Sequence, residues 1–193
     1  MVDVFEAKYK IPGTVNFIAS GPKGAKIAQE IDGFNITVNA SVLLPKVPHL
    51  FISKDPEIIY KPWWNDAYNR AQKFGTIKLF SDRLANIDQS GVGHWQKQEY
   101  HPNYTFVRTN LGSINSNTTI SGVAIHLAVL LGARHIKLCG LDFDGVNNFN
   151  SRNVRANWNF KTHLQSIQKL INFLKSDYKV KFESLSPTKL IIV

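Results

Sequence analysis

Residues Val123 to Leu131 are apolar except for one histidine, His126. A helix made from this run has no polar face to turn toward water, so it must be covered all round. The run falls short of the about 20 apolar residues that a membrane-spanning helix needs. A core helix pressed against a sheet is the remaining solution. Thr118, Thr119 and Ser121-Gly122 form its polar lead-in, and Gly132 follows it, as helix C-termini favour. The next segment, His135 to Gly140, reads as a buried strand and runs directly into Leu141-Asp142-Phe143-Asp144-Gly145. Ligands of open α/β sheets sit beyond the carboxyl ends of the strands. Asp142, Asp144 and the Ser121-Gly122 helix start therefore fall near one candidate site.

The rest of the chain repeats this alternation. Apolar or alternating runs at 15–19, 34–38, 49–53, 76–80, 105–108 and 178–182 predict strands. Helices are expected at about 25–31, and within 57–75 around Trp63, Trp64 and Tyr68, ended by Gly75. A last helix is expected from a Thr162-x-x-Gln165 capping box to about Ser176, with Leu164, Ile167, Ile171 and Leu174 on one face. The segment 42–48, with Pro45 and Pro48, is too short for a long crossover helix. The order argues for an α/β chain whose mainly parallel sheet is covered by helices on both faces. Its 193 residues suit a single domain, 1–193, with an irregular insertion at about 82–104. A polar loop at about 146–159, rich in Asn and Arg, reads as a lid.

A hydrophobic content of 44% with four tryptophans is enough for a core of this kind. The one cysteine, Cys139, falls inside an apolar strand. No disulfide can form within one chain, which favours a reducing compartment and a cytoplasmic location, and a buried thiol is usually inert. Residues 1–10 carry Asp3 and Glu6 and lack an apolar stretch, so no signal peptide is expected. No run reads as a transmembrane segment. The net charge of +9 suits an anionic partner such as a nucleotide, a nucleic acid or an anionic lipid surface. It equally suits an ordinary soluble basic protein.

Several loops carry candidate chemistry. Ser20-Gly21-Pro22-Lys23-Gly24 follows the first strand and opens a helix, where free amides and the helix dipole can receive an anion. It matches neither a Walker A loop nor a G-x-G-x-x-G fingerprint, and an ordinary βα turn has the same composition. Asn39 ends the second strand and Asp55 follows the third. His94 and His101 show no recognisable zinc spacing. Lys61-Pro62-Trp63-Trp64 has the composition of a base-stacking surface, although buried tryptophans are the commoner outcome.

The set Ala19-Ser20-Gly21-Pro22, Asn39, Ile120-Ser121-Gly122-Val123, Gly140-Leu141-Asp142-Phe143 and Leu185-Ser186-Pro187 resembles two related families. One is the bacterial CMP-sialic acid sialyltransferases. The other is the domain family (domain of unknown function 115) that includes the archaeal 6-hydroxymethyl-dihydropterin pyrophosphokinases. The resemblance spans most of 15–190 and implies a Rossmann-like, doubly wound sheet. It implies a nucleotide held by Ser20, Gly21 and Pro22, by Asn39, and by Ser121 and Gly122, with His163 as the catalytic histidine. The chain departs from the sialyltransferase pattern at four places. Ser20 stands for an Asn, Thr118 for an Arg, and Asp144 and Phe149 fall where the tyrosines that stabilise the departing phosphate are expected. Asp142 and Asp144 have instead the Asp-x-Asp spacing of many metal-dependent glycosyltransferases, and could hold Mg²⁺ or Mn²⁺ against a diphosphate. They could equally cap and reverse a turn. Asp55 could join them or hold a ribose.

A histidine in the first turn of a helix, as expected for His163, is favoured in its neutral form. That suits a general base, and a surface histidine has the same sequence signature. The leading expectation is a glycosyltransferase using a CMP- or UDP-type nucleotide sugar. In it His163 deprotonates the acceptor, while Arg152 and Arg155 counter the leaving phosphate. The acceptor would be anionic, a nucleic acid or a surface glycan. A second expectation is an ATP- and Mg²⁺-dependent pyrophosphoryl transferase using Asp55, Asp142 and Asp144. A third is a nucleotide- or nucleic-acid-binding module without catalysis.

Overall fold

In the first strand, Val15 and Phe17 enter one buried cluster and Ile18 another, which is the two-sided burial of a strand covered on both faces. This computed structural model describes residues 11–81, 104–107, 119–143 and 160–192. Seven strands are found among them: β1 (Thr14–Ile18), β2 (Asn35–Val38), β3 (Leu50–Ser53), β4 (Ile77–Ser81), β5 (Tyr104–Val107), β6 (His135–Cys139) and β7 (Lys181–Ser184). They form one sheet in the order β5-β4-β3-β2-β1-β6-β7, with every neighbouring pair parallel. The chain winds outward from β1 to β5, then crosses back to place β6 on the other side of β1. The architecture is α/β, Rossmann-like and doubly wound.

Four helices accompany the strands: α1 (Pro22–Ile27), α2 (Trp64–Lys73), α3 (Ile120–Leu130) and α4 (Phe160–Asp177). On one face α3 and α4 cover Phe17, Ile36, Leu50, Ile52, Leu79, Ile136 and Leu138. The apolar run at 123–131 thus lies where its composition requires, between sheet and α4. On the other face Trp64 of α2 packs against Phe51 and Phe80, with ring centroids 5.9 and 5.7 Å away. Lys78, also on β4, is buried, and its ammonium lies 5.6 Å from the Tyr68 ring centroid. Burial lowers its pKa from the usual lysine value. No helix among the described residues is long and apolar enough to cross a membrane.

Local chemistry shifts four boundaries from those expected. The helix at 25–31 begins earlier, at Pro22, because proline has its φ pre-set and needs no donor in a first turn; residues 28–30 are turns. The 57–75 region is two pieces, a 3-10 helix at Pro56–Tyr60 and then α2, with Pro62 between them. The last helix starts at Phe160, so Thr162 and Gln165 lie inside it and do not cap it. The strand expected at 178–182 is displaced to Lys181–Ser184. Lys179 adopts a left-handed φ of 55°, and the N–H groups of Tyr178 and Val180 both donate to the Leu174 carbonyl. The end of α4 consumes those residues before pairing can begin. Tyr178 and Val180 still pack into the core, which is what their alternation reported. The expected insertion at 82–104 and the loop at 146–159 lie almost wholly outside the described residues.

Candidate functional site

The order of the sheet reverses between β1 and β6, so the chain leaves these adjacent strands in opposite senses, and it is at the carboxyl ends of such a pair that open α/β sheets take their ligands. The turn after β1 and the turn after β6 are in direct contact there. The N–H of Ala19 donates to the Cys139 carbonyl at 2.8 Å and that of Gly21 to the Gly140 carbonyl at 2.9 Å. The N–H of Lys23 donates to Oδ2 of Asp142 at 2.8 Å. Contact this close leaves no room for side chains. A Cβ on Gly24 would lie 2.2 Å from the Gly140 nitrogen, and one on Gly21 would lie 2.4 Å from the Gly140 oxygen. Gly140 itself has φ of 77°. The N–H of Gly140 donates to Ser186 Oγ at 2.9 Å, which ties in the turn after β7.

This geometry gives the Gly-rich turn a packing role beside any ligand role. The amides of Gly21, Lys23 and Gly24 all donate within the protein, and Pro22 has none. The expected cradle of free amides is therefore already engaged at three positions. Asp142, buried at 4% exposure, acts here as the acceptor for the start of α1.

The other expected site residues gather along the same edge. Asn39 begins a 3-10 helix directly after β2 and has a left-handed φ of 50°. Its Oδ1 accepts from Ser53 Oγ, the last residue of β3, at 2.9 Å. Ser41 Oγ accepts from the Val38 N–H at 2.8 Å and donates to the Ile18 carbonyl at 2.6 Å, which links the ends of β2 and β1. Asp55 precedes the 3-10 helix after β3. The C-terminal end of α3 meets the chain just before β1, where the Ile11 N–H donates to the Leu131 carbonyl. Its start, 11 residues earlier, is thus carried about 16 Å away to the carboxyl edge. Thr119 caps it: Oγ1 accepts from the Gly122 N–H at 3.3 Å, which places half-buried Ser121 and buried Gly122 in the first turn. By the same winding, α4 runs back from the carboxyl edge, with His163 in its first turn. Asp144 and Arg155, with Arg152, lie outside the described residues, as do His94 and His101.

Burial lowers the pKa of half-buried His163 from 6.5 and favours a neutral imidazole. His126 sits inside the core against the rings of Phe173 and Tyr178, and His135 approaches Glu183 at 3.2 Å, so both belong to packing and strand contacts. Burial, the Asp142 charge and a hydrogen bond with Ser186 act together on Cys139; the first two dominate and push its pKa up to about 11. That describes an inert thiol. No cluster of three or more His, Cys, Asp or Glu suited to a metal is present among the described residues. One Asp142 oxygen is committed to the Lys23 amide, so the described residues do not by themselves make a metal site. Ser41, Ser53 and Ser186 hold this edge together without standing out individually in the sequence. Their signal was small polar residues at the ends of predicted strands.

No family model matches the sequence, and no curated protein matches it. Solved structures do match. The sialyltransferase CstII from Campylobacter jejuni, in complex with the substrate analogue CMP-3FNeuAc, aligns with TM-score 0.54 at 18% identity, over 91% of this chain and 82% of that one. CstII with a trisaccharide acceptor and CMP gives 0.55 at 17%, over 90% and 81%. The monofunctional α-2,3-sialyltransferase Cst-I of the same organism gives 0.55 at 18%, over 90% and 76%. This chain has the sialyltransferase fold. At these identities the likeness is one of fold.

Proposed function

We propose that this chain is a glycosyltransferase that takes its sugar from a CMP-type nucleotide donor and passes it to a glycan hydroxyl. The observation carrying this reading is the reversal of strand order between β1 and β6, at whose carboxyl ends Ser20, Gly21 and Asp142 lie with Asn39 at the end of the neighbouring β2, in a fold shared with enzymes crystallised with CMP and with a CMP-sugar analogue. The nucleotide would lie along the carboxyl edge, contacting Ser20-Gly21-Pro22, Asn39, Asp55 and the Ser121-Gly122 helix start. His163, held neutral by burial, would accept the proton of the acceptor hydroxyl. That oxygen bonds to the anomeric carbon as the bond from this carbon to the phosphate oxygen breaks, and CMP leaves with the electron pair. Arg152 and Arg155 are assigned to the charge of the leaving phosphate. Asp142 and Asp144 would be the carboxylates offered to Mg²⁺ or Mn²⁺, which would draw charge from the phosphate.

Thermal denaturation with CMP, UDP, GDP and ATP, each with and without Mg²⁺ or Mn²⁺, tests the reading. A ligand of the folded state at about 100 times its dissociation constant adds about 2.7 kcal/mol, a readily measured shift. Stabilisation by CMP and by its sugar conjugate is expected. Stabilisation by ATP with Mg²⁺ alone would move the assignment to pyrophosphoryl transfer, and no response to any nucleotide would overturn both.

A further inference from the structure

We propose that Ser53 is a positioning residue, whose buried hydroxyl holds the Asn39 amide oxygen inward and so turns its N–H donors toward the ligand. Ser53 is 1% exposed, so its hydroxyl is not placed to touch a ligand itself. It donates to Asn39 Oδ1 at 2.9 Å. Asn39 is half-buried, and among the described residues its Nδ2 has no acceptor. With the oxygen tied back, the free end of this amide is the one carrying two donors.

The backbone beneath the amide is pinned as well. Asn39 holds a left-handed φ of 50°, a region that asparagine visits more readily than most residues. Ser41, two residues on and buried, fixes this conformation from below by bonding the Val38 N–H and the Ile18 carbonyl. A strained residue held from both sides at the carboxyl edge is a preorganised contact. Serine to asparagine is a bond between two strand ends, so β2 and β3 together aim one side chain. The ligand group this orientation favours is therefore an acceptor, such as a phosphate oxygen or the carbonyl of a pyrimidine.

This inference rests on the proposed nucleotide at that edge, and the test separates the two. Titration calorimetry with CMP and with cytidine would be run on the wild type, Ser53→Ala, Ser53→Thr, Asn39→Ala and the Ser53→Ala/Asn39→Ala pair. Ser53→Ala is expected to weaken CMP binding about fivefold to tenfold, the range of one lost hydrogen bond. Ser53→Thr should restore it. The double variant should bind no worse than Asn39→Ala alone, since Ser53 acts through Asn39. Loss with CMP but not cytidine places the acceptor on the phosphate, and equal loss with both places it on the nucleoside; either supports the inference. If wild-type protein binds neither, the proposed function fails. If the wild type binds and Ser53→Ala binds equally well, or if the two losses simply add, the positioning role is overturned while the nucleotide reading stands.

Discussion

The backbone N–H of Lys23 donates to Oδ2 of Asp142 at 2.8 Å across 119 residues of sequence. One carboxylate thus anchors the first turn of α1 to the turn after β6, at the point where the sheet reverses its order. The start of a helix has N–H groups with no partner inside the helix, and Asp142 supplies one from a distant segment. Asp142→Ala should lower stability by about 1–2 kcal/mol, because the amide at the start of α1 loses this side-chain acceptor. Asp142→Asn keeps an oxygen acceptor and should lose less. Urea denaturation of both variants against the wild type measures the difference.

Gly24 and Gly140 show how close the two turns come. Gly24→Ala would drive a methyl group to 2.2 Å from a backbone nitrogen, which a rigid strand end cannot vacate. A loss of about 1–3 kcal/mol or more is expected. Gly13 has nothing within 4 Å of a Cβ and a φ outside the left-handed range, so Gly13→Ala is the control and should fall within about 0.5 kcal/mol of the wild type. Melting temperatures decide the comparison.

Acid should destabilise the protein through its histidines. Burial lowers the pKa of His126, His49 and His163 below 6.5. The unfolded chain then binds more protons than the folded one as pH falls through 6.5. The contribution is fully present above 6.5 and is lost progressively as pH drops toward the folded values. His126 is buried with no hydrogen-bond partner at either ring nitrogen among the described residues, and Nδ1 of His49 accepts the Asn35 N–H. Protonation charges the first in an apolar setting and breaks the second. Urea midpoints measured above and below 6.5 should differ, and His126→Phe should shrink the difference.

Turnover should depend on His163. Loss of a general base costs about 10²–10⁴-fold, so His163→Ala should lower kcat by an amount in that range with the nucleotide affinity little changed. The acidic limb of kcat/KM should lie below 6.5, since burial holds this imidazole neutral to lower pH. A pH profile with a glycan acceptor checks both statements.

Cys139 should resist thiol reagents in the native protein and react on unfolding. Its pKa stands at about 11, set first by burial and then by the charge of Asp142, with Ser186 acting the other way. Asp142→Asn should therefore bring the thiol closer to its ordinary range. The native reaction rate with an alkylating reagent at several pH values reads this directly.

What residue order alone determines here is local. The unbroken apolar run at 123–131 had to be a core helix, because it offers no face to water, and Gly132 ended it with a φ of 117°. The apolar runs at 15–19, 34–38, 49–53 and 76–80 became strands to within a residue or so, since two-sided burial needs apolar side chains at successive positions, while the run at 178–182 gave up its first half to the end of α4. The polar ends of those strands pointed to the carboxyl edge. Tertiary structure decided which ends meet. Nothing in the spacing of Ser20-Gly21-Pro22 and Gly140-Leu141-Asp142 says that the two turns touch, because their contact arises only when β6 lies beside β1. The motif reads in the sequence as a candidate ligand turn or an ordinary βα turn, and the fold gives its glycines a packing reason. The same holds for Ser53 and Asn39, 14 residues apart and joined by one hydrogen bond. Hydrogen bonds between strand ends depend on register and strand order, and these are set by the sum of core packing rather than by any short stretch of chain.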